Sequence, residues 1–155
     1  VACWQESYRG IVADGYLARM SIRRRTAIWR RALLVPRPAV AIFVVEDETG
    51  IAGFGMSGPQ REDDRSADAE IYALYVRQRR QGEGWGRALM QALARHAQGW
   101  GGQSLDLWVL ADNARAVRFY RRLGGQPGET RCFRIARRPL TEQVFMWQSL
   151  CTLTG

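Results

Sequence analysis

The chain contains no lysine: all 23 basic residues among its 155 are arginine. It therefore lacks the phosphate-gripping lysine of a Walker loop and the amine of Schiff-base chemistry. Histidine is nearly as scarce. His96 stands alone, so no imidazole-based metal site is expected. The three cysteines, Cys3, Cys132 and Cys151, are odd in number, far apart and without a CxxC pair. They read as reduced thiols of a cytoplasmic protein. No apolar run approaches the ~18 residues that span a bilayer, so no membrane partner is expected. No signal peptide is visible at the start, although the chain also begins without Met.

What is present suits one domain over residues 1–155, with 46% hydrophobic residues. The formal net charge of +8 favours an anionic partner: a nucleotide cofactor, nucleic acid or an acidic surface. Arginine clusters at 23–25, 30–31, 121–122 and 137–138 would serve nucleic acid, but no RRM, zinc-finger or basic-zipper pattern accompanies them.

Residues 2–9 and 14–33 read as helices, the second through a broken stripe of Leu17, Met20, Ile22, Ile28, Trp29 and Leu33. The "PRP" at 36–38 stops it. Strands are predicted over 39–47, 51–58 and 69–76, with a polar loop at 59–68. Trp85, Ala88, Leu89, Ala92 and Leu93 then recur at helical spacing over 84–98. A strand at 104–110, a helix at 113–123 and strands near 129–135 and 140–149 complete the chain. The order predicts an α/β (α+β) domain, with a mostly antiparallel mixed sheet and one strand–helix–strand crossover.

Two stretches are rich in glycine. "GFGMSG" (53–58) matches GxGxxG literally, but Pro59 and a charged loop follow where a helix should begin. It reads as a hairpin strand, not a dinucleotide site. "RRQGEGWGRAL" (79–89) follows a strand and opens a helix. The first turn of a helix carries unpaired N–H groups and the positive end of the dipole. Gly82, Gly84 and Gly86 clear side chains from that turn, so a phosphate can lie on the amides, with Arg79, Arg80 and Arg87 nearby.

With the strand "EIYALYV" (70–76) before it and "DNARAVRFYRRLGG" (112–125) after it, "QGEGWG" (81–86) resembles the Q/R-x-x-G-x-G/A signature of the GCN5-related N-acetyltransferases, the GNAT superfamily. The first residues, 3–20, resemble the opening helices of its bacterial members. The resemblance implies acetyl-CoA as co-substrate. Its pyrophosphate would rest on residues 81–87, with Gln81, Gly82, Gly84, Gly86 and Arg87 as contacts. Its pantetheine arm would pair with the backbone of Leu74 and Val76, along a strand that bulges and splays from its neighbour. The Val76 N–H would stabilise the oxyanion. Family members normally open with an edge strand; residue 3 already resembles the helix that follows it, so that strand is expected to be missing and strand 39–47 to have an unpaired edge.

Glu70 stands six residues before Val76, on its face at a period of two, and at the distance from Gln81 that a catalytic glutamate keeps in the histone acetyltransferase branch. It is the candidate base, against a solvated strand-end charge. Tyr120 matches the tyrosine that serves many relatives as general acid, against an aromatic core role beside Phe119. Asn113 is open to pantetheine contact and to capping its helix. Trp4, Tyr8, Tyr16 and Trp29 are candidates for the acceptor cleft or the core, and "REDD" (61–64) for greeting a cationic acceptor or a solvated loop. The reaction implied is acetyl transfer to a primary amine by direct attack in a ternary complex. The amine belongs to a small molecule or a peptide. A CoA-binding domain without catalysis and an arginine-rich nucleic-acid binder are the alternatives. A homodimer is the commonest assembly for such a chain.

Overall fold

The computed structural model describes residues 1–35 and 37–155. The chain opens with three helices: α1 (Ala2–Tyr8), α2 (Asp14–Ala18) and α3 (Ile22–Leu34). The single helix expected over 14–33 is thus two. Ser21 breaks it, because its hydroxyl accepts from the Arg24 N–H (3.2 Å) and caps a new helix. The predicted stripe divides with it. Leu17 and Met20 join Val12 and Leu140 in a small apolar cluster. Trp29 stands edge-on to Phe54, with centroids 4.9 Å apart. Ile22, Ile28 and Leu33 are exposed instead. Of the stop assigned to 36–38, Pro36 lies outside the described residues.

Six strands form one sheet: β1 (Ala41–Asp47), β2 (Gly50–Pro59), β3 (Ala69–Val76), β4 (Leu105–Leu110), β5 (Gln126–Ile135) and β6 (Arg138–Trp147). Their order is β1-β2-β3-β4-β6-β5, and only β3 and β4 run parallel. The crossover between them is α4 (Trp85–Gly99); α5 (Ala114–Arg122) joins β4 to β5. A short α6 (Cys151–Thr154), not anticipated from the sequence, closes the chain. Among the described residues β1 is an edge strand, paired with β2 alone.

The larger core lies on the face covered by α4 and α5. Met90, Leu93, Ala94 and Ala97 from α4 meet Ile71, Leu105, Leu107 and Val109 of the sheet, with Phe145 and Trp147 beyond. The Trp147 indole N–H is satisfied by the Leu123 carbonyl at 2.8 Å. The glycines of β2 serve this packing rather than a nucleotide. A Cβ on Gly55 would stand 2.6 Å from Leu93, and one on Gly58 would stand 2.6 Å from the Tyr72 hydroxyl.

Two irregularities in β3 shape the molecule. Its pairing with β2 slips by one residue at Tyr72: Met56 faces Ala73 but Ser57 faces Ile71. Its pairing with β4 is confined to Ala69↔Leu105 and Glu70↔Asp106. Beyond Glu70 the two strands part and leave a cleft.

The β5–β6 turn is strained. Ala136 (φ 48°) and Arg137 (φ 67°) both adopt the left-handed conformation that such two-residue turns reserve for Asn-Gly. A left-handed non-glycine residue costs roughly 1–2 kcal/mol. Replacing the pair by Asn-Gly is therefore expected to stabilise the fold by about 1–2 kcal/mol, read as a higher urea midpoint at unchanged slope.

Candidate active site

The glycine stretch lies at the mouth of this cleft. Gly82 (φ 94°) and Gly84 (φ 89°) take up left-handed backbone that L side chains rarely adopt, and a Cβ on either would meet nothing within 4 Å. Gly84 is the N-cap of α4 and offers no side chain to its first turn. The result is an open helix N-terminus, suited to a phosphate. Gly86 has a different reason: its missing Cβ makes room for the Phe119 ring, 3.1 Å away. Gln81 anchors the loop to β3 through its amide, which donates to the Val76 carbonyl at 2.8 Å.

The positive charges are rearranged relative to the sequence expectation. Arg80 binds Asp47 and Arg79 binds Thr49, so both brace the β1–β2 turn. Arg87 lines the cleft as expected, joined there by Arg115 and Arg122 of α5. Their seven-residue spacing puts the last two on one helix face, the signal from which they could have been read.

Between β3 and β4 the cleft encloses a cavity of about 650 Å³. The Arg77 N–H donates to the Ala52 carbonyl across the β2–β3 ladder (2.8 Å). Antiparallel ladders alternate, so Leu74 and Val76 turn their amides toward the cleft. Both residues line it, with Gln81, Gly82, Gly84, Gly86, Asn113 and Tyr120. Asn113 also caps α5, its side chain accepting from the Ala116 N–H at 3.2 Å. An extended chain with amide groups and a phosphorylated end fits this surface: unpaired strand edge, glycine-cleared helix terminus and flanking guanidinium groups.

Glu70 is placed differently from the expectation. The slip at Tyr72 reverses the alternation, so Glu70 shares the face of Ala73 and Tyr75, while Leu74 and Val76 lie on the other. It sits behind the cleft wall, and Arg61 holds it in a two-pronged ion pair, Nε to Oε2 at 2.9 Å and Nη2 to Oε1. "REDD" divides: Arg61 binds Glu70 and Glu62 binds Arg131, while Asp63 and Asp64 are exposed. The nearby Arg65 binds Asp106, which is fully buried beside Glu70 in the sheet. Burial pushes the Asp106 carboxyl up while the Arg65 guanidinium opposes it.

Three phenols converge on the cavity: Tyr8 of α1, Tyr75 of β3 and Tyr120 of α5. Tyr75 accepts from the Trp4 indole at 2.9 Å, across 71 residues of sequence. Burial pushes the Tyr120 hydroxyl well above the usual phenol range, with Tyr75 adding to the rise, and does the same more strongly to Tyr8. Both groups stay protonated near neutral pH and can donate. The aromatic candidates of the first helices thus divide. Tyr8 lines the cleft, Trp4 and Tyr16 pack behind it, and Trp29 covers Phe54. Tyr75, Trp108 and Glu6 also line the cleft and were not anticipated. The slip at Tyr72 that brings Tyr75 there leaves no trace in the strand's composition.

Comparison with known proteins agrees with this geometry. The family model described as the acetyltransferase (GNAT) family matches residues 5–125. An uncharacterised N-acetyltransferase of Bacillus subtilis, YuaI, is 30% identical over 154 residues, 99% of this chain and 86% of its own. The structure of an N-acetyltransferase from Staphylococcus aureus superposes with a TM-score of 0.67 at 21% identity, over 84% of this chain and 78% of that one. That of yncA from Salmonella typhimurium, described as a putative acetyltransferase with its cofactor acetyl-CoA, gives 0.62 at 23% identity, over 83% and 74%. The chain belongs to the GNAT family of acetyl-CoA-dependent acyltransferases. Among the described residues no helix is long and apolar enough to cross a membrane.

The buried phenols predict an alkaline limit to stability. Their pKa values are raised in the folded state, so the stabilisation is complete below about pH 10, where unfolded tyrosine ionises, and is lost as pH rises beyond it. Each such phenol steepens the loss by about 1.4 kcal/mol per pH unit. No lysine titrates in this range to obscure it. Tyr120→Phe should reduce the slope of unfolding free energy against pH by one proton, read from urea titrations between about pH 9 and 11.5.

Proposed function

We propose that the protein transfers acetyl from acetyl-CoA to a primary amine of a small molecule or peptide, by direct attack within a ternary complex. The observation that carries this reading is the cleft itself: unpaired β3 amides on one wall, an open α4 N-terminus at one end and a buried phenol at its centre. The donor's pyrophosphate rests on the backbone of 81–87, with Arg87, Arg115 and Arg122 around it. Its pantetheine arm pairs with Leu74 and Val76. The Val76 N–H faces the carbonyl oxygen where negative charge develops. The amine nitrogen forms its bond to the acetyl carbon as the carbon–sulfur bond breaks. Tyr120 gives its proton to the departing sulfur and is re-protonated by the proton that the nitrogen sheds after attack. The other proton leaves the ammonium before attack, and Glu70 accepts it once Arg61 has moved aside. Among the described residues no cysteine lines the cleft, which supports direct passage of the acetyl group to the amine. The three free thiols fit a cytoplasmic setting.

The reading is tested by following free CoA thiol release with acetyl-CoA against a panel of primary amines. Amine-dependent release supports it. Acetyl-CoA binding without release by any amine would leave a binding domain. No binding at all would remove the reading.

Two variants probe its parts. Gly84→Asn keeps a residue that tolerates left-handed backbone but places a side chain where the phosphate lies. Acetyl-CoA should bind about 10–100-fold more weakly, as expected for losing one charge-assisted hydrogen bond, with thermal stability nearly unchanged; calorimetric titration checks it. Tyr120→Phe should lower kcat by a similar factor from about pH 6 to 9, because the buried phenol stays protonated throughout. A loss that vanished at high pH would argue against its role as acid.

A further inference from the structure

Glu70 and Asp106 are paired neighbours at the point where β3 and β4 separate, and both are buried, at 4% and 0% exposure. Two carboxylates buried side by side require compensating charge. One loop, from Gln60 to Arg65, supplies it to both, but in unequal ways. Asp106 accepts from the Gln60 amide (2.9 Å) and from Nε (2.9 Å) and Nη2 (2.6 Å) of Arg65. Arg65 is itself buried, stacks on Trp108 at 4.8 Å and is held again by Glu129. That counter-ion is fixed.

The cation on Glu70 is not. Arg61 is the partner of its carboxylate, and the Arg61 side chain is 59% exposed against 5% for Glu70. Its guanidinium lies 4.2 Å over the Tyr72 ring, and Tyr72 lines the cleft. A buried carboxylate beside an aromatic ring that itself lines the cavity is a seat that a hydrogen-bonding cation can fill. Arg61 fills it from the solvent side. Another cation can replace it without leaving Glu70 uncompensated at any stage.

We infer that Arg61 occupies the seat of the acceptor's ammonium group, and that the acceptor is a primary amine that arrives protonated and displaces Arg61 from Glu70 and Tyr72. This rests on the acetyl-transfer reading of the cleft and adds the acceptor's charge and its docking point. Exchange also makes Glu70 available. With Arg61 attached, its oxygens are both engaged. With the ammonium in place, one N–H proton passes to Glu70, and the neutral amine then leaves the seat for the acetyl carbon, farther along β3. Before the acceptor binds, the base is masked.

The seat can be probed without knowing the acceptor, by chemical rescue. Arg61→Ala leaves Glu70 without its cation, and methylammonium and guanidinium are the probes. Each, at tens of millimolar, should raise the melting temperature of Arg61→Ala by at least about 2 °C more than sodium or tetramethylammonium at equal ionic strength. The wild type should show no such difference, nor should the double variant Arg61→Ala with Glu70→Gln. Equal shifts with all four cations in Arg61→Ala would overturn the inference, and so would a selective shift that persisted in the double variant. Should Arg61→Ala fail to fold, Arg61→Gln keeps the loop's polarity and serves the same measurement. In the amine assay, Arg61→Gln should lower KM for cationic primary amines about tenfold, with acetyl-CoA affinity unchanged. A raised or unchanged KM would also overturn it. Acetyl-CoA binding by the wild type, measured in parallel, separates failure of this seat from failure of the acetyl-transfer reading.

Discussion

The separation of β3 from β4 after a single pair of residues beyond Ala69 is the constraint on which the rest of the molecule depends. Parallel strands normally continue their ladder, because an unpaired backbone group away from water is costly. Here the ladder stops at Glu70 and Asp106, and the amides of Leu74 and Val76 are left facing a cavity. The slip at Tyr72 is part of the same event. It bends the strand away and re-aims every side chain beyond it. A sheet that opens in this way must be held on both sides of the opening. Packing of α4 and α5 does so on one face, and the ion pairs of the 60–68 loop do so on the other.

The two ends of the cleft differ in charge. At the end formed by the α4 N-terminus, Arg87, Arg115 and Arg122 gather around an already positive dipole. At the other, where β3 and β4 part, the carboxylates of Glu70, Asp106, Glu62, Glu129 and Glu142 outnumber Arg61, Arg65 and Arg131 in adjoining ion pairs. Trp108 stands within it, with Arg65 at 4.8 Å and Arg131 at 4.0 Å from its ring. A chain of net charge +8 thus carries its excess positive charge away from this end.

The walls between these ends are aromatic. Tyr8, Tyr75 and Tyr120 come from three different elements, and Trp4 fixes Tyr75 by a hydrogen bond from α1. Through this contact the small α1–α2 layer is attached to the strand that carries the cleft-facing amides. Burial keeps the phenols protonated, so the centre of the cleft presents donors rather than anions.

Much of this was legible in the sequence, because it depends on local rules. Alternation and helical periodicity place the strands and the two helices around the cleft, and glycine spacing marks the α4 N-terminus. Tyr120 and Asn113 follow from a short motif in one helix. What the tertiary structure alone decided concerns partners distant along the chain. Arg79 and Arg80 read as positive charge near the phosphate, yet Asp47 and Thr49, some thirty residues earlier, claim them. Glu70 read as sharing the face of Val76, because a strand is assumed to alternate without interruption. A one-residue slip at Tyr72, whose pairing is set by β2, moved it to the other face and into the grip of Arg61. Local order is encoded in neighbouring residues and can be read from them. Which charge meets which, and which face a side chain takes beyond a bulge, depends on strand register and loop packing, and is fixed only when the whole sheet closes.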